Sequence, residues 1–154
     1  MALKIDEIDR KILRELQKDG RLSVNELSAR VGLTASPCAR RLRLLEEAGA
    51  IAGYTALLDE AALGFGVTVF VSVKLDRQVD EALQRFERAV SSFAEIADCW
   101  LMTGGRDYLL RVVVADLAEF ETFLTKRLTR VEGVASIESS IPIRRVKAGA
   151  TRTV

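Results

Sequence analysis

Three arginines, Arg40, Arg41 and Arg43, crowd a short stretch in which no acidic residue appears from Thr34 to Leu45; Glu46 and Glu47 come only afterwards. A helix over these positions would carry its bases early and its acids late. Its own dipole favours the reverse, negative charge at the N-terminal end. An outside anion that occupies the early positions explains the order. Guanidinium and hydroxyl groups donate to phosphate oxygens, and an arginine in the major groove of a DNA duplex donates to the O6 and N7 acceptors of guanine. Thr34, Ser36 and Arg40 are therefore candidates for base or near-backbone contact. Arg41 and Arg43, with Arg21 from an earlier turn, are candidates for phosphate contact. Taken alone, a basic helix face fits a solvated surface equally well.

A second group lies further along, at Gly104, Gly105, Arg106, Asp107 and Tyr108. A glycine-rich turn exposes backbone amides that suit a carboxylate, and Asp107 could accept from an α-ammonium group. The same residues also make an ordinary turn in which glycine supplies positive φ. Other chemistry is excluded. The chain has no histidine, which removes a Ser-His-Asp triad, a histidine-ligated metal and a histidine acid/base. Its two cysteines, Cys38 and Cys99, are far apart, without zinc-finger spacing, and read as free thiols. Cys38 reads as core filler and Trp100 as core or interface. Neither catalysis nor a metal or cofactor is expected.

The elements that must hold these groups are legible. Ile5, Ile8, Ile12, Leu13 and Leu16 recur at helical spacing, with Asp6 as a plausible N-cap and Gly20 after the last turn. Ser23-Val24-Asn25-Glu26 is a capping box that opens a short helix burying Leu27 and Val31 and ending at Gly32. Thr34 would cap a third helix with Pro37 in its first turn; Cys38, Leu42 and Leu45 form its inward stripe and Gly49 stops it. The tight turn Val31-Gly32-Leu33-Thr34 has helix-turn-helix spacing. Residues 50–56 look extended, as a short wing would be, and residues 54–66 read as a linker.

Beyond it, residues 67–75 read as a strand, 80–90 as a helix burying Leu83, Phe86 and Val90, and 96–102 and 108–114 as two strands. A helix opened by Asp116 and burying Leu117, Phe120, Leu124 and Leu128 follows, then a strand over 134–146 that Pro142 interrupts. The order β-α-β-β-α-β is a ferredoxin-like split βαβ unit. Its third strand is apolar on both faces, with Leu109 and Val113 on one and Leu110, Val112 and Val114 on the other. Strands buried on both sides read this way. The chain has no spare layer to cover the outer face, so a second copy is expected to cover it.

The fold class is thus α+β: a helix-turn-helix domain at 1–53, a linker at 54–66 and a βαββαβ domain at 67–154. Net charge is +1 but uneven: residues 1–50 sum to +2, residues 51–143 to −5, and residues 144–154 to +4. No stretch approaches the ~20 apolar residues of a membrane span, and acids stand where a signal peptide needs an apolar core. A cytoplasmic location is expected.

The residues resemble one family. Asp9-Arg10-Lys11-Ile12-Leu13, Gly20-Arg21, Leu27-Ser28, Val31-Gly32-Leu33-Thr34, Ser36-Pro37-Cys38, Arg40-Arg41, Leu45-Glu46, Gly49, Ile51 and Gly53-Tyr54 are similar, in order and spacing, to the Lrp/AsnC family, the leucine-responsive or feast/famine regulators. Thr103-Gly104 through Asp107-Tyr108 resembles that family's effector-sensing RAM domain. The resemblance implies a transcriptional regulator binding double-stranded DNA through a winged helix-turn-helix. It implies homodimers joined through their sheets, assembled into tetramers, octamers or larger rings. It implies an amino acid or related metabolite as effector, held between dimers by the turn Gly104, Gly105, Arg106, Asp107 and Tyr108 and by Ser139, Ser140 and Ile141 of the last strand. Arg106 departs from the acidic or aromatic residue of several relatives and would suit an acidic amino acid. Siroheme decarboxylases share the architecture, but they use histidines, which this chain lacks.

Overall fold

The computed structural model describes residues 4–147. The ends of the two expected domains, residues 1–3 and 148–154, lie outside them. The chain divides into two compact units, one reaching Leu57 and also taking in Lys147, and one spanning Leu58–Val146.

The first unit is three helices: α1 (Glu7–Lys18), α2 (Val24–Val31) and α3 (Ala35–Glu47). Each begins where the sequence places its cap. Asp6 accepts from the Asp9 amide while the Asp9 carboxylate accepts from the Asp6 amide, and Ser23 and Glu26 do the same at α2. These reciprocal bonds satisfy amides that a helix start leaves orphaned. Gly32 ends α2 in the left-handed region at φ +76°, and the Leu33 amide returns to the Ser28 carbonyl at 2.9 Å. A side chain at Gly32 would meet a strained backbone although no neighbour crowds it. α1 ends on Asp19 rather than Gly20. Ile12, Leu13, Leu27, Val31, Cys38 and Leu45 form the buried core, flanked by Ile5, Ile8, Leu16, Leu42 and Ile51. Residues 51–58 are irregular, without strand pairing among the described residues. Within them the Tyr54 hydroxyl donates to Glu46 at 2.9 Å. Partial burial and that carboxylate push the phenol up to about 12.

The second unit is a four-stranded antiparallel sheet in the order β2-β3-β1-β4, built from β1 (Val67–Leu75), β2 (Ile96–Leu101), β3 (Tyr108–Val114) and β4 (Val134–Ser140). Helices α4 (Asp80–Val90) and α5 (Leu117–Lys126) complete the βαββαβ order, with a single 3-10 turn at Leu128–Arg130. Period-2 alternation sorts the strands. Val69, Val71, Val73 and Leu75 of β1 and Tyr108, Leu110, Val112 and Val114 of β3 point into a core closed by Phe86, Val90, Phe120, Phe123 and Leu128. Two expectations fail on detail. Leu117 is 58% exposed and Phe123 takes the buried place on α5, because the inward face runs from Phe120 to Phe123 and the first turn lies outside it. β4 stops at Ser140 rather than Val146. Its last pairing is Ser140 with Phe70, and Pro142 just beyond has no amide to continue a ladder.

The other sheet face carries Phe70 and Ser72 from β1, Leu109, Arg111 and Val113 from β3, and Trp100 from β2, paired opposite Leu109. No helix or strand of this unit covers it.

Candidate functional site

The helix-turn-helix places its candidates unequally. Thr34 stands at the N-cap of α3 but makes no capping hydrogen bond, unlike Asp6 and Ser23. Its hydroxyl is left for another partner. Ser36 is exposed in the first turn. Arg40 is exposed, and among the described residues no hydrogen bond or ion pair engages its guanidinium. Arg43 is exposed and stands 3.6 Å from Glu47 one turn on, a surface pair that costs little to break. Arg21 lies exposed in the turn before α2. Its backbone amide donates to Asp19 at 2.9 Å and its side chain is unengaged among the described residues.

Arg41 differs. It turns back on α1, and its Nη1 donates to Asp6 Oδ2 at 2.8 Å and to Asp9 Oδ1 at 2.7 Å. The Asp9 and Asp6 carboxylates push the guanidinium pKa up and keep it charged. The Asp9 amide first, and then Arg41, hold the Asp6 carboxyl below its usual range. The exposed cations of α3 are thus Arg40 and Arg43.

In the second unit, Gly104 lies at φ +105° at the exposed tip of the β2–β3 turn, and its space is open. The Gly105 carbonyl accepts from Lys74 Nζ at 3.5 Å. Arg106 reaches across β1 to β4, donating to Ser136 Oγ and Glu138 Oε2, each at 2.7 Å. Its cation is therefore already met by a carboxylate, unlike the free charge the sequence suggested for an acidic ligand. Asp107 is buried. Its carboxylate accepts from the Leu75 amide at 2.7 Å and from Gln78 Nε2 at 2.6 Å, so its oxygens are spent on fastening the turn to the end of β1. Tyr108 is core: it is 1% exposed, stacks on Phe86 at 4.5 Å and donates its hydroxyl to Glu87 Oε1 at 2.8 Å. Burial and Glu87 raise its phenol pKa above the ordinary value.

The remaining members stand apart. Tyr108, Val73 and Ile137 share one row of the sheet, whereas Ser139 pairs with Val71 and Ser140 with Phe70. That displaces them by about 7–10 Å along the strand. Ile141 is 55% exposed just past β4. One chain therefore does not bring Gly104 and Gly105 together with Ser139, Ser140 and Ile141. A cleft of about 360 Å³ opens between α4 and β2, where Glu87, Val90, Ser91, Cys99 and Leu101 meet Tyr108, the member of the effector set that reaches it. Sequence reading missed Lys74, Ser136 and Glu138, which fix the turn from neighbouring strands. Their alternation along β1 and β4 onto one face was the available signal.

On the open face, the Arg111 guanidinium is bridged by Glu60 Oε1 at 2.8 Å and Asp98 Oδ2 at 2.5 Å. Burial works against its charge, but the two carboxylates outweigh that and raise its pKa.

Comparison with known proteins bears on both units. Residues 5–52 match the winged helix-turn-helix DNA-binding model, and residues 68–151 match the Lrp/AsnC ligand binding domain. The chain is 48% identical to the Bkd operon transcriptional regulator of Pseudomonas aeruginosa, covering 93% of this chain and 94% of that protein. It is 44% identical to the leucine-responsive regulatory protein of Rhizobium meliloti, covering 96% and 94%. A transcriptional regulator of Neisseria meningitidis, solved in complex with L-methionine, superposes with a TM-score of 0.91 at 37% identity, covering 96% and 95%. Among the described residues no helix is long and apolar enough to cross a membrane, and no cluster of His, Cys, Asp and Glu could hold a metal.

Proposed function

The chain belongs to the Lrp/AsnC family of transcriptional regulators, and from that premise we propose how it reads DNA and what alters the reading. It is a DNA-binding regulator with an amino-acid ligand-binding domain. α3 enters the major groove. Arg40 reads a base edge, Thr34 and Ser36 contact a base edge or the backbone beside it, and Arg43 and Arg21 hold phosphates. The observation that carries this is the exposed, unengaged guanidinium of Arg40 on a helix whose first turn holds no acid. Arg41, which the sequence alone offers as a phosphate contact, serves instead to hold α3 against α1. An electrophoretic shift with the promoter region upstream of the gene tests the reading. Arg40→Ala should weaken specific binding by about 1–3 kcal/mol, roughly 10- to 100-fold, with the fold intact. Unchanged specific affinity defeats the assignment.

The effector is an amino acid or related metabolite, as the methionine complex of the Neisseria regulator supports. The glycine amides of the β2–β3 turn take its carboxylate. Because Ser139, Ser140 and Ile141 lie rows away in the same chain, they complete the site from another copy. Homodimers form through the open sheet face and assemble further, and the ligand favours one assembly over another, as it must to act at all. The protein works in the cytoplasm and is not an enzyme. Sedimentation with each of the twenty amino acids in turn should show a shift with at least one. No shift with any of them removes the sensing role and leaves DNA binding standing.

A further inference from the structure

The chain between the two units is exposed at every residue from 52 to 66 except Glu60. Exposure alone would make it a long, loose linker. Two side chains nevertheless fasten it, one within each unit. Tyr54 is fastened to the helical unit. Its hydroxyl donates to Glu46, near the end of α3, at 2.9 Å. Its ring stands beside Gly20, where an added Cβ would lie 3.6 Å from Tyr54 Cδ1. Glu60 is fastened to the sheet. Its carboxylate accepts from Arg111 Nη1 at 2.8 Å. Arg111 lies on β3, which has a neighbour on either side, and Asp98 of β2 steadies the same guanidinium. Its side chain is only 27% exposed, so this pair is less screened than one standing free in water.

The chain around Glu60 is itself a turn. Asp59 Oδ1 accepts from the amides of Ala61 and Ala62 at 3.0 and 3.2 Å, and the Phe65 amide returns to the Glu60 carbonyl at 2.8 Å. Residues 55–59 are what lies between the two fastened side chains. Fully extended they span about 17 Å. Without the Glu60 bond the tether lengthens back to Gly66, and residues 55–66 span up to about 40 Å. A two-fold dimer meets operator half-sites about 34–36 Å apart, one duplex turn, or multiples of that. One added turn therefore asks for as much length as two short tethers hold when fully extended. It asks for less than half of what two released ones hold.

We infer that Glu60 on Arg111 and Tyr54 on Glu46 pin the linker at both ends, and that the short tether left between them sets which half-site spacing a dimer can span. This rests on the DNA-binding and dimer readings argued above. Both are positioning residues: they act through the reach of the heads, not by touching a base.

The test uses the full chain and the promoter duplex, footprinted first. Three duplexes are compared by fluorescence anisotropy, with sedimentation in parallel: the promoter, the promoter with about ten base pairs, one turn, inserted at the centre of the footprint, and a half-length duplex cut at that centre. Wild type should bind the lengthened promoter no better than the half-length duplex. Glu60→Ala should bind the native promoter about three- to four-fold more weakly, because a longer tether dilutes the second head. It should bind the lengthened promoter several-fold better than the half-length duplex, to which it binds like wild type. Tyr54→Phe should shift in the same direction by less. Glu132→Ala, which removes a carboxylate from the Arg85 pair and leaves the linker untouched, should match wild type on all three. A Glu60→Ala chain that responds to the insertion as wild type does overturns the inference. So does weaker binding of that variant to the half-length duplex, or a changed sedimentation pattern, since Glu60 would then act on the head or between copies. Wild type that binds the lengthened and native promoters equally overturns it too, and leaves the regulator reading standing. Failure of wild type to bind the promoter at all would bring down that reading instead.

Discussion

Asp6 and Asp9 cap helix α1 reciprocally, which brings two carboxylates together at one helix end. Like charges at that separation repel, and Arg41 Nη1, between Asp6 Oδ2 and Asp9 Oδ1, removes the conflict. One guanidinium thereby completes the cap of α1 and ties it to α3. Removing it leaves Asp9, 7% exposed, without its counter-charge. Arg41→Ala should therefore destabilise the helical unit by about 1–3 kcal/mol in thermal unfolding followed by far-UV circular dichroism. Arg40→Ala should stay within about 0.5 kcal/mol of wild type, and equal stabilities for the two variants would contradict this division of labour. The sequence grouped Arg40, Arg41 and Arg43 because charge alone does not say which way a side chain turns. The signal existed. Position 41 is three residues after Cys38 and four before Leu45, both buried, so it borders the inward stripe, whereas position 40 does not. Asp107 is the converse case. A carboxylate in a glycine turn looks available until the Leu75 amide that occupies it is found on another strand.

At the scale of elements, most of the architecture was legible because caps and periodicities are local. The capping box of α2, the glycine that ends it and the β-α-β-β-α-β order all appear as read. Strand ends and exact inward faces were not, since they depend on register. β4 ends where β1 stops offering partners, and α5 turns Phe123 inward by how it lies on the sheet. The apolar outer face was legible from β3 alone. Its Arg111 is paired with Glu60 and Asp98, so covering the face does not bury a lone cation. Leu109 and Val113 on this face and Leu110 and Val112 on the other make a direct contrast. Leu109→Asp should leave the body folded but weaken self-association by about 2 kcal/mol or more, roughly 30-fold, in a sedimentation dilution series. Leu110→Asp, in the core at 0% exposure, should prevent the body from folding. A Leu109→Asp protein that assembles like wild type would place the interface elsewhere.

For the molecule as a whole, the two units hold their charges differently, and acid should reveal the first. Three carboxyls of the helical unit lie below their usual range. Asp6 is held there by the Asp9 amide and then Arg41, Glu15 by Lys18 and then Arg30, and Glu26 by the Ser23 hydroxyl and amide. A carboxyl whose folded pKa is depressed contributes stability that is fully present above its unfolded value, about 4 for these residues. That contribution is lost as pH falls through the folded value, because the unfolded chain then binds more protons. The helical unit should accordingly melt at falling temperature as pH drops from about 5 to below 4. Trp100, the chain's one tryptophan, lies in β2, so its fluorescence follows the body alone and separates the two transitions. Arg41→Ala removes part of what depresses Asp6, and its helical transition should depend less on pH than that of wild type over the same window. If the helical transition held its temperature through that window in wild type, or if Arg41→Ala left its pH dependence unaltered, the ion-paired cap would not be what holds α1 and α3 together.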